Sequence, residues 1–140
     1  MPSPTDPALS TTGKPAARNT AFAGVSDALM ILLFAGIGRD AHARGDIITG
    51  IFATAWPFLA GAAVSWLAVR VWRNSFSLWP AGVAVWLGTV AIGMLLRAAA
   101  GQTVVLPFVI VALLSLGFLL LGWRLAAAGR TRFRARRRRV

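Results

Sequence analysis

Apolar residues fall into four long runs separated by short polar segments, at residues 21–38, 47–69, 80–97 and 104–123. The second run, IITGIFATAWPFLAGAAVSWLAV, contains no charged residue, and the first is interrupted only by Asp27. At 1.5 Å per residue, each has or nearly has the length needed to cross a hydrocarbon core of about 30 Å. Backbone groups in lipid must be hydrogen-bonded within their own segment, so runs of this length are helices. Pro80 suits the first turn of the third helix. Trp72, Trp79 and Trp123 stand near the ends of runs, where indoles meet the membrane–water boundary. Residues 1–19 are rich in Pro, Ser, Thr and Ala, show no apolar period and are expected to be disordered. The pattern predicts an all-α fold. A four-helix transmembrane bundle over residues 20–124 lies between a disordered N-terminal tail and a basic C-terminal tail at 125–140.

Composition agrees with that picture. With 57% hydrophobic and 14% charged residues in 140, the chain reads as a single integral membrane domain. Asp27 does not remove the first crossing. An acid costs about 2.5–3.5 kcal/mol at the centre of an inserted helix and less near its end, while Leu29, Ile31, Leu32, Leu33, Phe34 and Ile37 each offset about 0.3–0.6 kcal/mol. A cleaved secretory signal, ending at Ala41-His42-Ala43, is the competing reading of this run. Arg39 and Asp40 directly before that site, and the long segment ahead of the run, favour an uncleaved anchor.

Charge then orients the bundle. Four crossings put both termini on one side, together with Lys14, Arg18, Arg70, Arg73, Arg124 and the terminal arginines. The opposite side has Arg39, Arg44 and Arg97, partly balanced by Asp40 and Asp46. Both termini are therefore expected in the cytoplasm. The net charge of +11 is concentrated in Arg130, Arg132, Arg134, Arg136, Arg137, Arg138 and Arg139. A basic cluster just past a crossing attracts anionic lipid head groups. Nucleic acid is the alternative phosphate partner, disfavoured because Phe133 is the tail's only stacking surface.

Candidate chemistry is sparse. Cysteine, glutamate and tyrosine are absent. That excludes disulfides, thiolate metal sites and a cysteine nucleophile. One histidine and four aspartates leave too few ligands for a complete metal or haem site in one chain. No phosphate-cradling loop, paired catalytic carboxylates or nucleophile triad is present, so neither enzymatic activity nor a cofactor is expected. Asp27 is the most informative residue, since an acid inside the membrane is a candidate for proton or cation handling. The structural reading pairs it with Arg70 or Arg124, or bonds it to Ser65, and is preferred because no second intramembrane acid offers a relay. Arg39, Asp40, His42, Arg44, Asp46 and Arg97 form a candidate outer polar cap. His42 is its possible proton acceptor, and the preferred reading is a structural pairing of Asp40 or Asp46 with Arg97. Arg44-Gly45-Asp46 is read as a chance tripeptide. Pro57 removes a backbone donor and frees a carbonyl near Ala53. Thr54 is placed to satisfy that backbone or to bond across to Thr89. Gly61/Ser65, Ala84/Gly88 and Thr89/Gly93 are small residues four apart that permit close helix contact.

Several of these pieces occur in a recognisable order: Asp27, GRDAH at 38–42, TAWPF at 54–58, GMLLR at 93–97, FVIVA at 108–112 and GWR at 122–124. In that order they resemble the domain-of-unknown-function family 3054, small bacterial and notably actinobacterial integral membrane proteins. The resemblance spans Asp27 to Arg124 and implies a four-crossing protein of the bacterial inner membrane, with no activity to carry over. The expected function is an uncharacterised, non-enzymatic membrane component that packs with itself or with other membrane proteins. The second expectation is a small transporter or channel subunit using Asp27 and the Pro57 kink. A membrane-bound enzyme or redox accessory using His42 and Arg39 ranks third.

Overall fold

The structure is a computed structural model that describes residues 14–40 and 46–139. Four helices dominate: α1 (Lys14–Asp40), α2 (Ile47–Val69), α3 (Val83–Ala99) and α4 (Leu106–Arg137). Each sequential pair packs together and α4 returns to α1, which closes a four-helix bundle. No strand occurs among the described residues. Segments Ala17–Gly38, Ile47–Val69, Leu78–Ala99 and Leu106–Arg137 are long and apolar enough to cross a membrane. The chain thus has the build of a multi-pass membrane protein. Its outward faces carry exposed Leu33, Phe52, Leu67, Leu95, Leu114 and Phe118, as expected where the solvent is lipid rather than water.

The interior is a mixture of large and small side chains. Ile31, Phe34, Phe58, Val90, Leu116 and Leu120 fill it, and Ala35, Ala55, Ala62 and Ala112 let the helices approach. Apolar burial drives little association within lipid, so close packing has to hold the helices together. The tightest seam joins α2 and α3. A Cβ added to Gly61 would lie 2.9 Å from the Thr89 carbonyl oxygen, and one on Gly93 would lie 2.6 Å from Phe58. Gly88 receives the Ser65 side chain. Two of the three small-residue pairs, Gly61/Ser65 and Thr89/Gly93, therefore face each other across this seam. At the α3–α4 seam, Trp86 fills the notch at Gly117 and donates its indole N–H to the Leu113 carbonyl at 2.9 Å.

Three boundaries differ from those expected. Helix α1 begins at Lys14, inside the segment expected to be disordered, where Ala16, Ala17 and Arg18 are strong helix formers and Pro15 tolerates a first turn. Helix α4 continues through Ala126, Ala127 and Ala128 to Arg137, so most of the basic tail is helical. Regular helix in the third crossing starts at Val83 rather than Pro80. Trp79 has extended backbone angles (φ −123, ψ 132), so residues 78–82 form a turn separate from the helix; the Trp79–Pro80 peptide is cis. A residue preceding proline is disfavoured in the α region.

Helix α2 passes through Pro57 as a single element. Pro57 lacks the N–H that would bond the Ala53 carbonyl. The Gln102 side-chain amide, from the α3–α4 connection, donates to that oxygen at 3.4 Å. Gln102 is held by its own backbone N–H on the Arg97 carbonyl at 2.9 Å, beside Gly101 at φ 70. A left-handed φ of this kind is one that glycine adopts without strain.

Candidate polar lock at Asp27

The chain's one acid within a crossing is buried, with 2% of its surface exposed. Arg124, from α4, meets it with both terminal nitrogens. Nη1 lies 2.7 Å from Oδ1 and Nη2 lies 2.7 Å from Oδ2. Two indoles complete the set: Trp66 of α2 donates to Oδ2 at 2.9 Å and Trp123 of α4 donates to Oδ1 at 2.8 Å. Each carboxylate oxygen thus accepts two hydrogen bonds. A carboxylate in so dry a setting is tolerated only when paired and bonded in this way. Arg124 is itself fully buried, and its Nη1 also donates to the Leu120 carbonyl at 2.9 Å. Its Nε has no hydrogen-bond partner. The guanidinium lies 4.6 Å from the Trp123 ring centroid, a cation–π contact that offsets part of its desolvation. Gly82 leaves room for the Arg124 stem, since a Cβ there would stand 3.1 Å from Cδ.

Aromatic and polar contacts tie the surrounding end of the bundle together. Phe22, Phe76 and Trp123 pack at centroid separations of 5.8–6.3 Å. The Thr20 hydroxyl contacts the Ser75 hydroxyl at 3.2 Å, bringing the start of α1 to the α2–α3 connection. Both described ends of the chain therefore lie at one end of the bundle. An open groove of about 410 Å³ between α1 and α2 reaches Asp27 and is otherwise apolar, with Gly24, Ala28, Ala62 and Ala63 among its walls.

Of the three partners expected for Asp27, Arg124 is the one found. Arg70 is exposed and ends α2 in a left-handed conformation (φ 51). Ser65 donates to the Gly61 carbonyl at 2.8 Å instead. Neither Trp66 nor Trp123 was singled out as a ligand from the sequence. The available signal was that a buried indole N–H seeks an acceptor, and Asp27 is the only carboxylate in any crossing.

The other candidate residues do not join this lock. The Thr54–Thr89 bond is not made, because Thr89 lies level with Gly61, about 10 Å along the helix from Thr54. Thr89 Oγ1 is buried without a hydrogen-bond partner. Gln102, not Thr54, meets the carbonyl freed by Pro57. Arg97 sits over the Phe108 ring, 4.5 Å from its centroid, with its buried Nε and Nη1 lacking hydrogen-bond partners among the described residues, and the side chain of Asp40, one of its expected acid partners, lies outside those residues. Phe108 is reached because α3 and α4 pack side by side, and it stacks in turn near Phe34 and Phe58. Asp46 is exposed at the start of α2. Arg39 belongs to the last turn of α1 with its side chain outside the described residues, and His42 lies outside them altogether. Arg130, Arg132, Arg134, Arg136, Arg137, Arg138 and Arg139 are all exposed, with Arg137 over the Phe133 ring at 4.9 Å.

Searches of curated proteins and of solved structures returned no match. A family model described as "Protein of unknown function (DUF3054)" matches residues 24–127, a stretch that contains Asp27, Trp66, Trp123 and Arg124. That match covers well over half of the chain, which therefore belongs to the DUF3054 family.

Proposed function

We propose that the protein is a non-enzymatic component of the bacterial inner membrane, with both termini in the cytoplasm, that packs with itself or with other membrane proteins. The observation that carries this reading is the state of Asp27. Its carboxylate is engaged by a bidentate guanidinium and two indoles and is almost wholly buried. A proton carrier must release and accept its proton along a path, and a cation ligand must keep an oxygen free. Asp27 as held here serves instead to fix α1, α2 and α4 in one arrangement. The orientation rests on Lys14, Arg18, Arg70, Arg73 and the basic end of α4 sharing one end of the bundle. There the exposed arginines from Arg130 to Arg139 meet anionic lipid head groups.

The second reading, a small transporter or channel subunit, is favoured by the α1–α2 groove that reaches Asp27. A flux assay separates the two. The purified chain in proteoliposomes is expected to show no pH-dependent cation or solute flux. A flux that vanishes in Asp27→Asn, with folding preserved, would establish the transporter reading. Purification in mild detergent is expected to recover the chain as a defined oligomer or with a stable protein partner. A monodisperse monomer without partners would remove the packing role.

A further inference from the structure

A second groove runs along the opposite side of α1, against α4. Phe22, Ser26 and Met30 form one wall and Trp123, Ala127 and Arg130 belong to the other, enclosing about 390 Å³. The three wall positions on α1 are four residues apart, so they lie along one stripe of the helix, and Arg18 is the next position of that stripe toward the N-terminus. From Phe22 to Met30 the stripe is about 12 Å long, close to the depth of one leaflet of a hydrocarbon core of about 30 Å.

Apart from Ser26, the groove is apolar below, and it is cationic above. Arg130 follows Arg124 by six residues, so it stands about 9 Å nearer the bundle end than the Asp27 lock. Arg18 precedes Asp27 by nine residues on the antiparallel helix, which lifts it about 13 Å in the same direction. Both are exposed; Arg130 lines the groove, and Arg18, on the same stripe of α1, stands within about one helical turn of it in height. The groove between α1 and α2 has no cation among its lining residues. An anionic phospholipid has the matching polarity: an apolar chain joined to a phosphate, which guanidinium groups bind by paired charge-assisted hydrogen bonds.

We propose that the α1–α4 groove seats an acyl chain of an anionic phospholipid, whose phosphate is held by Arg130 with Arg18 beside it. This rests on the helices crossing a bilayer, but not on which compartment the two termini face. It also differs from diffuse attraction of lipid by the basic end of α4, because it requires one chain and one phosphate at one place.

Native mass spectrometry of the full chain in detergent, titrated with phosphatidylglycerol or phosphatidylcholine, tests it. One phosphatidylglycerol is expected to bind about tenfold or more tightly than phosphatidylcholine, whose phosphate charge is offset by a choline cation that the guanidinium groups repel. Arg130→Gln is expected to remove that preference. Ala127→Leu, which fills the groove, is expected to remove the tight lipid, while Ala63→Leu in the α1–α2 groove leaves it bound. Glycerol phosphate, which has the phosphate but no chain, is expected not to compete. Circular dichroism confirms that each variant is folded, and Ala126→Leu replaces Ala127→Leu if the latter is not. The proposal fails if Arg130→Gln keeps the preference. It also fails if glycerol phosphate displaces the lipid, or if the tight lipid disappears only when the six arginines from Arg132 to Arg139 are changed to glutamine. That last result would make the basic end, rather than the groove, the site of binding.

Discussion

Asp27 and Arg124 show why a single intramembrane acid is better understood from its donors than from its charge. Removing one member of the pair leaves the other buried and uncompensated. Asp27→Ala is expected to lower stability by about 3–5 kcal/mol, read as a shift in denaturation in detergent micelles. Arg124→Met is expected to do the same. The double variant Asp27→Leu/Arg124→Met is expected to recover part of the loss, because it leaves no uncompensated charge, although the Trp66 and Trp123 N–H groups lose their acceptor. Additive losses in the double variant would show that the pair acts through something other than its mutual charge. Trp66→Phe keeps the ring and deletes one donor to the carboxylate, for an expected loss of about 1.5–3 kcal/mol by the usual value for bonds to charged groups. Exchanging the two charges is expected to fail, since the indoles of Trp66 and Trp123 supply donors fitted to an acceptor on α1. Helical depth alone made Arg124 a candidate partner in the sequence. The two tryptophans were not legible there, because run-end position suggested an interfacial role for Trp123 and nothing marked which face Trp66 occupied. Only the assembled bundle decides where an indole N–H points.

Among the helices, the α2–α3 seam depends on backbone proximity. Gly61→Ala would press a methyl group against the Thr89 carbonyl, a backbone atom that cannot rotate away. The expected cost is about 1–3 kcal/mol, typical of overpacking. A neutral effect in thermal unfolding would mean the two helices are less tightly apposed than described. Pro57 and Gln102 offer a second test. Gln102→Ala is expected to cost about 0.5–1.5 kcal/mol in the native background. It is expected to cost almost nothing alongside Pro57→Ala, where the restored backbone N–H takes over the Ala53 carbonyl. Equal costs in both backgrounds would show that the side chain does not serve that oxygen. The existence of the four helices and the freed carbonyl near Ala53 could be read directly from hydropathy and proline. The identity of its donor could not, since Gln102 is remote in sequence and is brought over by loop geometry. The apolar runs mark crossings rather than helix ends: hydropathy marks where a segment enters lipid, whereas helix propensity carries α1 and α4 well past that point.

For the molecule as a whole, the arginines set an orientation that topology reporters can measure. A reporter fused after the last residue is expected to read as cytoplasmic, and one inserted at Ala43 as external. An internal signal at Ala43 would be incompatible with four crossings. Changing the six arginines from Arg132 to Arg139 to glutamine is expected to weaken liposome binding to anionic lipid while leaving the thermal transition unchanged, because these residues are exposed and outside the bundle core. Helix α4 is 32 residues long, or about 48 Å, so it outreaches the hydrocarbon core by roughly 18 Å. Its basic end therefore projects as a helical stalk from the same end of the bundle as the Asp27 lock.

The lock also has a direction in time. Of the four described crossings, Asp27 lies in the first to be synthesised and Arg124 in the last, 97 residues later. While the ribosome is still adding the middle crossings, α1 sits in the bilayer with its acid unmatched, and only completion of the fourth crossing supplies the guanidinium. A chain that stops short leaves that acid to be protonated or wet rather than paired with Arg124. Among the four described crossings, the last one made is therefore the one that completes the set of donors around Asp27.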